Sequence, residues 1–226
     1  MPRLPFISFE GSEGCGKSTQ VRRLAKRLEL AGIPFIGTRE PGGTAIGETI
    51  RDLLQFAAHN TAMKAETELL LFQASRSQLV RETIKPALEG GLCVISDRFF
   101  DSTTVYQGAA RKLDPNTVDV LNRFAVGDCI PDITFVIDVD VPTARARLLR
   151  RVRPAGAVRD RMEEEPDEFY ERVCIAYREL AKREPNRVVL IDGSQDADTI
   201  EHDIWETIVR RFPTITAPIE NRKSKV

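Results

Sequence analysis

The chain has 226 residues, of which 42% are hydrophobic and 30% are charged, as expected for a globular protein with a full core. Its 33 Lys and Arg residues nearly balance its 34 Asp and Glu residues, so no nucleic-acid partner is expected. No apolar run approaches the ~20 residues of a membrane-spanning helix. The N-terminus lacks a signal-peptide pattern, and the 4 cysteines are scattered. We therefore expect a cytoplasmic protein with reduced thiols and no membrane partner.

Short β-branched runs alternate with longer amphipathic stretches along the chain. The predicted strands are Phe6–Phe9, Pro34–Gly37, Leu92–Ser96, Ile133–Val139 and Val188–Ile191. The predicted helices cover residues 17–30, 47–56, 66–89, 115–126, 142–151, 167–183 and 197–211. This order predicts a three-layer α/β fold, in which right-handed crossovers place helices on both sides of a five-stranded parallel sheet. We expect a single domain over residues 1–212 and a flexible tail over 213–226.

A glycine-rich segment, GSEGCGKST at residues 11–19, follows the first predicted strand and leads into the first predicted helix. It matches the pattern G-x-x-x-x-G-K-[ST], in which glycines turn backbone N–H groups inward onto an anion. Lys17 would act as a catalytic residue by bringing positive charge to the β- and γ-phosphates, and Ser18 would ligate Mg²⁺. Because the flanking strand and helix are present, we interpret the segment as a P-loop for a nucleoside triphosphate rather than a turn with an incidental lysine. The predicted ATP-binding residues are Gly11, Ser12, Glu13, Gly14, Cys15, Gly16, Lys17, Ser18 and Thr19.

Further polar residues follow the other predicted strands. They are Thr38–Thr44, Asp97 with Arg98, Asp138, and residues 192–195. Since parallel strands place their carboxyl ends at one edge of the sheet, all of them share the edge of the P-loop and predict an active site there. Asp97 would hold a Mg²⁺-bound water, and Arg98 would bridge donor and acceptor phosphates. For Asp97, two interpretations are almost equally well supported: a structural ion pair at a strand end, and the metal-binding role.

Arginines crowd residues 145–161, where a Pro-Ala-Gly sequence interrupts the helical pattern. A mobile, arginine-rich lid over about 150–162 would close over the transferring phosphates, exclude water and stabilise the moving charge. We assign Arg151, Arg153 and Arg161 to this lid. Arg145 and Arg147 are better explained as a solvated basic face.

Phe72 and Arg76 lie four residues apart on one face of the third predicted helix. An aromatic ring with a guanidinium one turn later suits a stacked nucleobase, but the same pair is typical of a core phenylalanine and a surface arginine. Tyr106 and Gln107 also have two interpretations: they would contact a nucleoside, or they would cap a helix.

The sequence does not support nucleophilic catalysis, because it has only 2 histidines and no triad pattern. The inferred reaction is phosphoryl transfer by positioning and electrostatics.

Together, several of these segments resemble the thymidylate kinases, members of the nucleoside-monophosphate kinase group of P-loop proteins. The similarity spans about residues 5–210, and its most specific segment is Arg-Glu-Pro-Gly-Gly-Thr at 39–44, because P-loops occur in many families. The segments that carry the resemblance are residues 9–19, 38–44, Phe72 with Arg76, 94–98, 102–108 and 131–134.

The resemblance implies ATP- and Mg²⁺-dependent phosphorylation of dTMP to dTDP, on the route to dTTP, by a homodimer with the P-loop kinase fold. It places Glu10 near the metal with Ser18 and Asp97, and the loop after Asp192 beside adenine. The acceptor residues that it implies are Glu13 at the 3′-hydroxyl, Arg39 and Arg98 at the phosphate, Phe72 stacked on thymine, Arg76 at the base edge, and Tyr106 against a 2′-hydroxyl, with Gln107 beside it.

Members of this family carry the catalytic arginine either in the P-loop or in the lid. This P-loop has none, so the chain resembles the bacterial-type enzymes with lid arginines, and we predict that Arg153 contacts the transferred phosphoryl group. One departure is Phe99, where the family commonly has Tyr or His, and we leave Phe99 out of the site. The alternatives are a kinase for another pyrimidine nucleotide and a non-catalytic ATP-binding module.

Overall fold

Five parallel strands form a sheet at the centre of the protein, which a computed structural model describes over residues 3–57, 60–150 and 160–216. The strand order is β2-β3-β1-β4-β5, so the first strand lies in the middle. The predicted α/β fold with a five-stranded parallel sheet is therefore confirmed. The strands are β1 (Phe6–Glu10), β2 (Phe35–Arg39), β3 (Cys93–Asp97), β4 (Ile133–Asp138) and β5 (Val188–Asp192).

Every predicted helix is present, with its ends within about two residues of those expected. The stretch predicted as a helix at 66–89 is helical throughout, and the π-helical turn Val80–Ile84 joins two α-helices within it. Short 3₁₀ turns occur at Asn60–Ala62, Arg161–Glu164 and Pro213–Thr216. The α-helices are α1 (Lys17–Leu30), α2 (Ala45–Gln55), α3 (Ala65–Leu79), α4 (Lys85–Glu89), α5 (Phe100–Thr103), α6 (Pro115–Val126), α7 (Val141–Arg150), α8 (Asp167–Arg183) and α9 (Ala197–Arg211).

The helical segment after β3 was not predicted from the sequence. It consists of α5 and a π-helical extension over Thr104–Ala110. Its sequence includes Thr103, Thr104, Val105 and Gly108, which have low helix propensity. The segment packs between α3, α6 and α8, and because it buries polar residues such as Asp101 and Gln107, no apolar stripe marks it in the sequence. Tertiary packing therefore stabilises a helix that local sequence does not favour.

The two faces of the sheet bury different helices, because side chains alternate along each strand. On one face, Ile7 and Phe9 of β1 pack against α1 and α9. On the other face, Phe6 packs with residues of α3, α4 and α6. Val136 of β4 continues this second layer by packing against α8. The sheet, with helices packed on both of its faces, therefore forms the expected three-layer fold.

The ends of the expected domain are described only in part. Of the tail over 213–226, the first four residues form the 3₁₀ turn, and Ile215 is fully buried against the core. Most of the expected lid lies outside the described residues. Where the chain is described, no helix has both the length and the apolar character needed to cross a bilayer.

A buried ion pair ties α5 to the far strands of the sheet. Asp101 is fully buried and accepts two hydrogen bonds from Arg187, at 2.6 and 2.8 Å. It also accepts one from the Thr134 hydroxyl of β4, at 3.0 Å. Arg187 precedes β5 and is only 14% exposed. Without Arg187, Asp101 would be buried without a counter-charge, and without Asp101, the largely buried Arg187 would keep only the half-exposed Glu184 as a charged partner.

We therefore expect Asp101→Ala to lower the free energy of unfolding by about 3–5 kcal/mol, measured by urea denaturation. Asp119→Ala is the matched control, because Asp119 pairs with Arg123 at the surface, where the two side chains are 57% and 78% exposed. That variant should lose no more than about 0.5 kcal/mol. Equal losses in the two variants would contradict the assigned role of Asp101.

Candidate active site

The P-loop connects the central strand β1 to the start of α1. Three of its glycines have positive φ, at 137° for Gly11, 81° for Gly14 and 100° for Gly16. A Cβ atom on Gly11 would lie 2.6 Å from the Ile137 carbonyl oxygen, and one on Gly14 would meet the Ala144 carbonyl oxygen at closer range. These positions therefore require glycine, and the loop curls as the sequence pattern predicts.

Lys17 and Ser18 both contact Asp97 at the end of β3. The Lys17 ammonium lies 3.8 Å from Asp97 Oδ1, and the Ser18 hydroxyl donates to Oδ2 at 2.6 Å. Burial raises the pKa of Asp97, but the Lys17 charge and the Ser18 hydrogen bond outweigh it, and the net pKa is lowered. The result is an ionised carboxylate and a hydroxyl side by side at the positive end of α1.

Arg98 joins the P-loop to the helical segment after β3. Its Nη2 donates to Glu13 Oε1 at 2.5 Å and to the Tyr106 hydroxyl at 3.2 Å, and that hydroxyl donates to Glu13 Oε2 at 2.6 Å. Its Nη1 donates to Ser102 Oγ at 3.0 Å. Arg98 also has a positive φ of 71°, which is rare outside glycine. We call this group of Glu13, Arg98 and Tyr106 the arginine triangle.

Glu10 lies beneath the arginine triangle and is fully buried. Its carboxylate accepts hydrogen bonds from the Phe99 backbone N–H at 2.7 Å, the Ser102 hydroxyl at 2.6 Å and the Tyr177 hydroxyl at 2.8 Å. Burial, and next the charge of Asp101, raise the pKa of Glu10 to about 7. The side chain thus supports the loop after β3 and does not line the cavity described next.

A cavity of about 640 Å³ opens at the carboxyl edge of the sheet. Its walls come from the P-loop, the loop after β2, α2, α3, the helical segment after β3, and the residues at 160–163. This location is the one predicted from the strand ends. The predicted site residues that line it are Glu13, Gly14, Gly16, Lys17, Ser18, Thr19, Arg39, Phe72, Arg76, Asp97, Arg98, Tyr106 and Gln107.

Five predicted residues are not among the lining. Gly11, Ser12 and Cys15 form the buried underside of the P-loop, and Glu10 is held as described above. Arg153 lies outside the described residues, as does the rest of 151–159.

Arg76 of α3 lines the cavity, but its donors are already used. It is 1% exposed and forms a buried ion pair with Glu40, whose carboxylate accepts from Nε and Nη2. The remaining N–H groups donate to Thr103 Oγ1, Gln73 Oε1 and the Phe99 carbonyl oxygen. All five guanidinium N–H groups therefore have acceptors within the chain.

Several cavity residues were not predicted from the sequence. Arg51 of α2 donates to the Pro41 carbonyl oxygen at 3.0 Å, and burial, together with the charge of Arg39, lowers its pKa. Arg147, for which the sequence favours a solvated basic face, instead lines the cavity and donates to the Cys15 carbonyl oxygen at 3.2 Å. Asp160 also lines it, and burial raises its pKa to about 6. No motif marks these residues, because their position depends on how α2 and α7 pack.

Two further arginines of the cluster at 145–161, Arg145 and Arg161, have structural partners. Arg145 donates to Asp167 and to two backbone carbonyl oxygens at 163 and 165. Arg161 forms an ion pair with Glu68 of α3 and donates to the Leu54 carbonyl oxygen at 3.3 Å. The described end of the expected lid is thereby attached to α2 and α3.

A P-loop, a carboxylate on the neighbouring strand and an arginine-lined cavity on this parallel sheet define a P-loop kinase. The family model described as "Thymidylate kinase" matches residues 9–204. The chain belongs to the thymidylate kinase family.

Individual relatives agree with this membership. A thymidylate kinase from Fervidobacterium nodosum is 48% identical over 199 residues, which cover 88% of this chain and 95% of the relative. One from Afipia carboxidovorans is 43% identical over 92% of this chain and 90% of the relative. The crystal structure of thymidylate kinase from Ehrlichia chaffeensis is similar to this structure with a TM-score of 0.73 and 36% identity, covering 92% and 99% of the two chains.

Because the pKa of Glu10 is raised, we predict that the free energy of unfolding depends on pH. With a pKa of about 7 in the folded chain and 4.5 as the ordinary value, the folded state binds more protons between these pH values. The contribution of Glu10 to stability therefore falls as pH rises through that window. Between pH 5 and 8 the wild type should lose on the order of 3 kcal/mol more unfolding free energy than Glu10→Gln, measured by urea denaturation.

The control for this measurement is Glu66→Gln, which changes an exposed carboxylate of α3. Its pH dependence should follow that of the wild type. A Glu10→Gln curve parallel to the wild-type curve would show that Glu10 titrates normally.

Proposed function

We propose that ATP and dTMP bind in the same cavity, with their phosphates meeting between Lys17 and Arg98. The chain is a dTMP kinase, which transfers the terminal phosphoryl group of ATP to dTMP and yields dTDP for dTTP synthesis. The observation that carries the proposed arrangement is the arginine triangle. Through Glu13 and Arg98 it links the P-loop, which suits a donor triphosphate, to the wall that suits an acceptor nucleotide.

At the donor end, residues 11–19 would surround the phosphates of ATP with backbone N–H groups. The Lys17 ammonium would neutralise the β- and γ-phosphates, and the α1 N-terminus adds partial positive charge. The loop after Asp192 would lie beside adenine.

The oxygen donors at this end fit Mg²⁺. Ser18 Oγ and Asp97 Oδ2 are adjacent, and Mg²⁺ typically takes one or two protein oxygens together with water and phosphate oxygens. Ser18 and Asp97 would hold the ion, with Glu10 behind them as the resemblance implies. When bound, the ion would neutralise charge on the donor phosphates.

At the acceptor end, Arg39 and Arg98 would hold the phosphate of dTMP, and Glu13 would accept from the 3′-hydroxyl. Phe72 lies in the wall where thymine would stack, with Arg76 and Gln107 beside it. Tyr106 is held by Arg98 and Glu13, and would exclude a 2′-hydroxyl. Arg153, from the arginine-rich segment, would contact the transferred phosphoryl group.

These contacts perform the reaction by position and charge. Arg98 and Lys17 approach the cavity from β3 and from the P-loop, so charge that spreads over the transferring group would meet fixed cations on both sides. Both cations are held in place before any nucleotide binds, which reduces reorganisation during transfer. We call the part of the cavity lined by Arg39, Phe72, Arg76, Tyr106 and Gln107 the acceptor wall. A protein that only binds ATP would need neither the arginine triangle nor this acceptor wall.

The first experiment measures ADP formation with ATP and Mg²⁺ across dTMP, dUMP, dCMP, UMP, CMP, AMP and thymidine. We expect strong preference for dTMP, and a loss of at least a thousandfold in kcat with Lys17→Ala, because the phosphates lose their counter-charge. Lys26→Ala is the control, since Lys26 pairs with Glu29 on the exposed face of α1. Preference for another monophosphate would contradict the residues assigned to the base. An active Lys17→Ala variant would contradict the role of Lys17 as the counter-charge of the phosphates.

We further propose that the protein is a homodimer. The helices α2, α3 and α6 lie side by side and expose large apolar side chains. Leu70 of α3 is 56% exposed, and Val120 and Phe124 of α6 are 64% and 75% exposed. Ile46 of α2 is 55% exposed. Neighbouring apolar residues of this kind are typical of a protein interface.

Phe124→Glu is expected to convert the dimer to a monomer in sedimentation velocity, because it places a charge within the apolar surface. Ile175→Glu is the matched control, since Ile175 of α8 is 57% exposed on another part of the surface. A monomeric wild type, or a Phe124→Glu variant that stays dimeric, would contradict this assignment.

We also place the protein in the cytoplasm, without a nucleic-acid partner. The four cysteines are free and buried, as suits a reducing compartment, and the formal net charge is -1.

A further inference from the structure

A buried carboxylate, Glu68 of α3, joins three parts of the chain at the end of the cavity assigned to the base. It is 1% exposed and lies one turn before Phe72. It accepts hydrogen bonds from Gln107 Nε2 at 2.7 Å and from Arg111 Nε at 3.2 Å. It also accepts from Arg161 Nη2. The reaction described above uses Gln107 but assigns no role to Glu68.

Glu68 carries a charge at neutral pH. Burial opposes ionisation, but the Arg111 charge and the hydrogen bonds from Gln107 and Arg161 outweigh it and lower the pKa of Glu68. An ionised carboxylate has no hydrogen to donate. Gln107 must therefore turn its NH₂ group towards Glu68.

This contact decides which end of the Gln107 amide is available to a ligand. The oxygen and nitrogen ends of a glutamine amide are similar in size, and the terminal torsion is soft, so a free amide presents either end. Gln107 is 2% exposed and lines the cavity, whereas Glu68 lies behind it. Turning the amide over would break the hydrogen bond from Nε2 to Glu68, so the amide is fixed with its oxygen Oε1 as the acceptor for the base.

The neighbouring Arg76 does not supply the same discrimination. Its guanidinium is donor-only and is held in one orientation by Glu40, Gln73, Thr103 and the Phe99 carbonyl oxygen, so it cannot present an acceptor to the N–H at ring position 3. The amide of Gln107, by contrast, could be turned to present either a donor or an acceptor.

We propose that Glu68 is a positioning residue for base specificity. By holding the nitrogen of Gln107, it presents Oε1 to the pyrimidine and selects a base with N–H at ring position 3, as in thymine. A base with a lone pair at that position, as in cytosine, would face the oxygen without a hydrogen between them and is rejected. This inference rests on the acceptor wall assigned under the proposed function.

The test compares kcat/KM for dTMP with kcat/KM for 5-methyl-dCMP, which keeps the methyl group but has the cytosine edge. Glu68→Gln replaces an acceptor-only group by one that also donates, which releases the Gln107 amide. We expect the ratio of the two kcat/KM values to fall at least tenfold. Glu165→Gln is the matched control, because it removes a carboxylate from Arg111 with the same change of charge and without contact to Gln107. Its ratio should stay within twofold of the wild-type ratio.

Two further variants separate positioning from structural support. Glu68→Asp keeps an acceptor-only carboxylate and should retain the wild-type ratio, even where KM for dTMP rises. In Gln107→Leu the ratio should collapse, and adding Glu68→Gln to it should lower the ratio no further. A purely structural role for Glu68 would change Tm and both kcat/KM values together.

The proposal is overturned if folded Glu68→Gln keeps the ratio within twofold, or if Glu68→Asp loses it as fully as Glu68→Gln does. If Glu68→Gln does not fold, the proposal is tested with Glu68→Asp, and with the wild type by measuring kcat/KM for N3-methyl-dTMP. That analogue lacks the N–H and should lose at least tenfold in kcat/KM; a smaller loss also overturns the proposal. A wild type that does not phosphorylate dTMP would instead contradict the proposed function.

Discussion

The parallel register of β1 and β3 is the constraint on which the rest of the site depends. Phe9 lies opposite Asp97, so the P-loop and the Asp97–Arg98 pair leave the sheet at the same point. The Arg98 backbone N–H donates to the Phe9 carbonyl oxygen at 2.9 Å and closes this junction. Because side chains alternate along a strand, a slip by one residue would turn Asp97 to the opposite face, away from Lys17 and Ser18.

The arginines of the site are held by carboxylates before any ligand is bound. Arg98 pairs with Glu13, Arg39 with Glu48, and Arg76 with Glu40. A buried arginine without a partner would destabilise the fold, so the pairs of Arg76 and Arg98 allow these cations to lie in the cavity wall, whereas Arg39 is 49% exposed and pairs with Glu48 near the surface. The cations are consequently in position when phosphates arrive, and little reorganisation is needed during transfer.

The acceptor wall is coupled to the arginine-rich segment through α3. Phe72 and Arg76 lie on this helix, and Glu68, one turn earlier, binds Arg161 at the described end of that segment. The same carboxylate also holds Gln107. The described end of that segment and Gln107 therefore share one buried carboxylate, and a change at α3 can affect both.

The P-loop, the five strands and most helices could be predicted from the sequence, because each depends on local pattern: glycine spacing, β-branched runs and apolar periodicity. The same local reasoning brought Lys17, Ser18, Asp97 and Arg98 to one edge of the sheet. It could not find the helix after β3, because that segment buries polar residues such as Asp101 and Gln107 against α3, α6 and α8 and has no apolar periodicity.

Nor could local pattern show which partners the charged residues would have. Arg51 and Arg147 line the cavity only because α2 and α7 pack where they do, and Arg76 is saturated only because Glu40 lies beside it. The sequence by itself determined the sheet, the phosphate loop and the family. The tertiary structure alone decided which side chains meet, because hydrogen bonds between residues distant in the chain depend on packing and not on spacing.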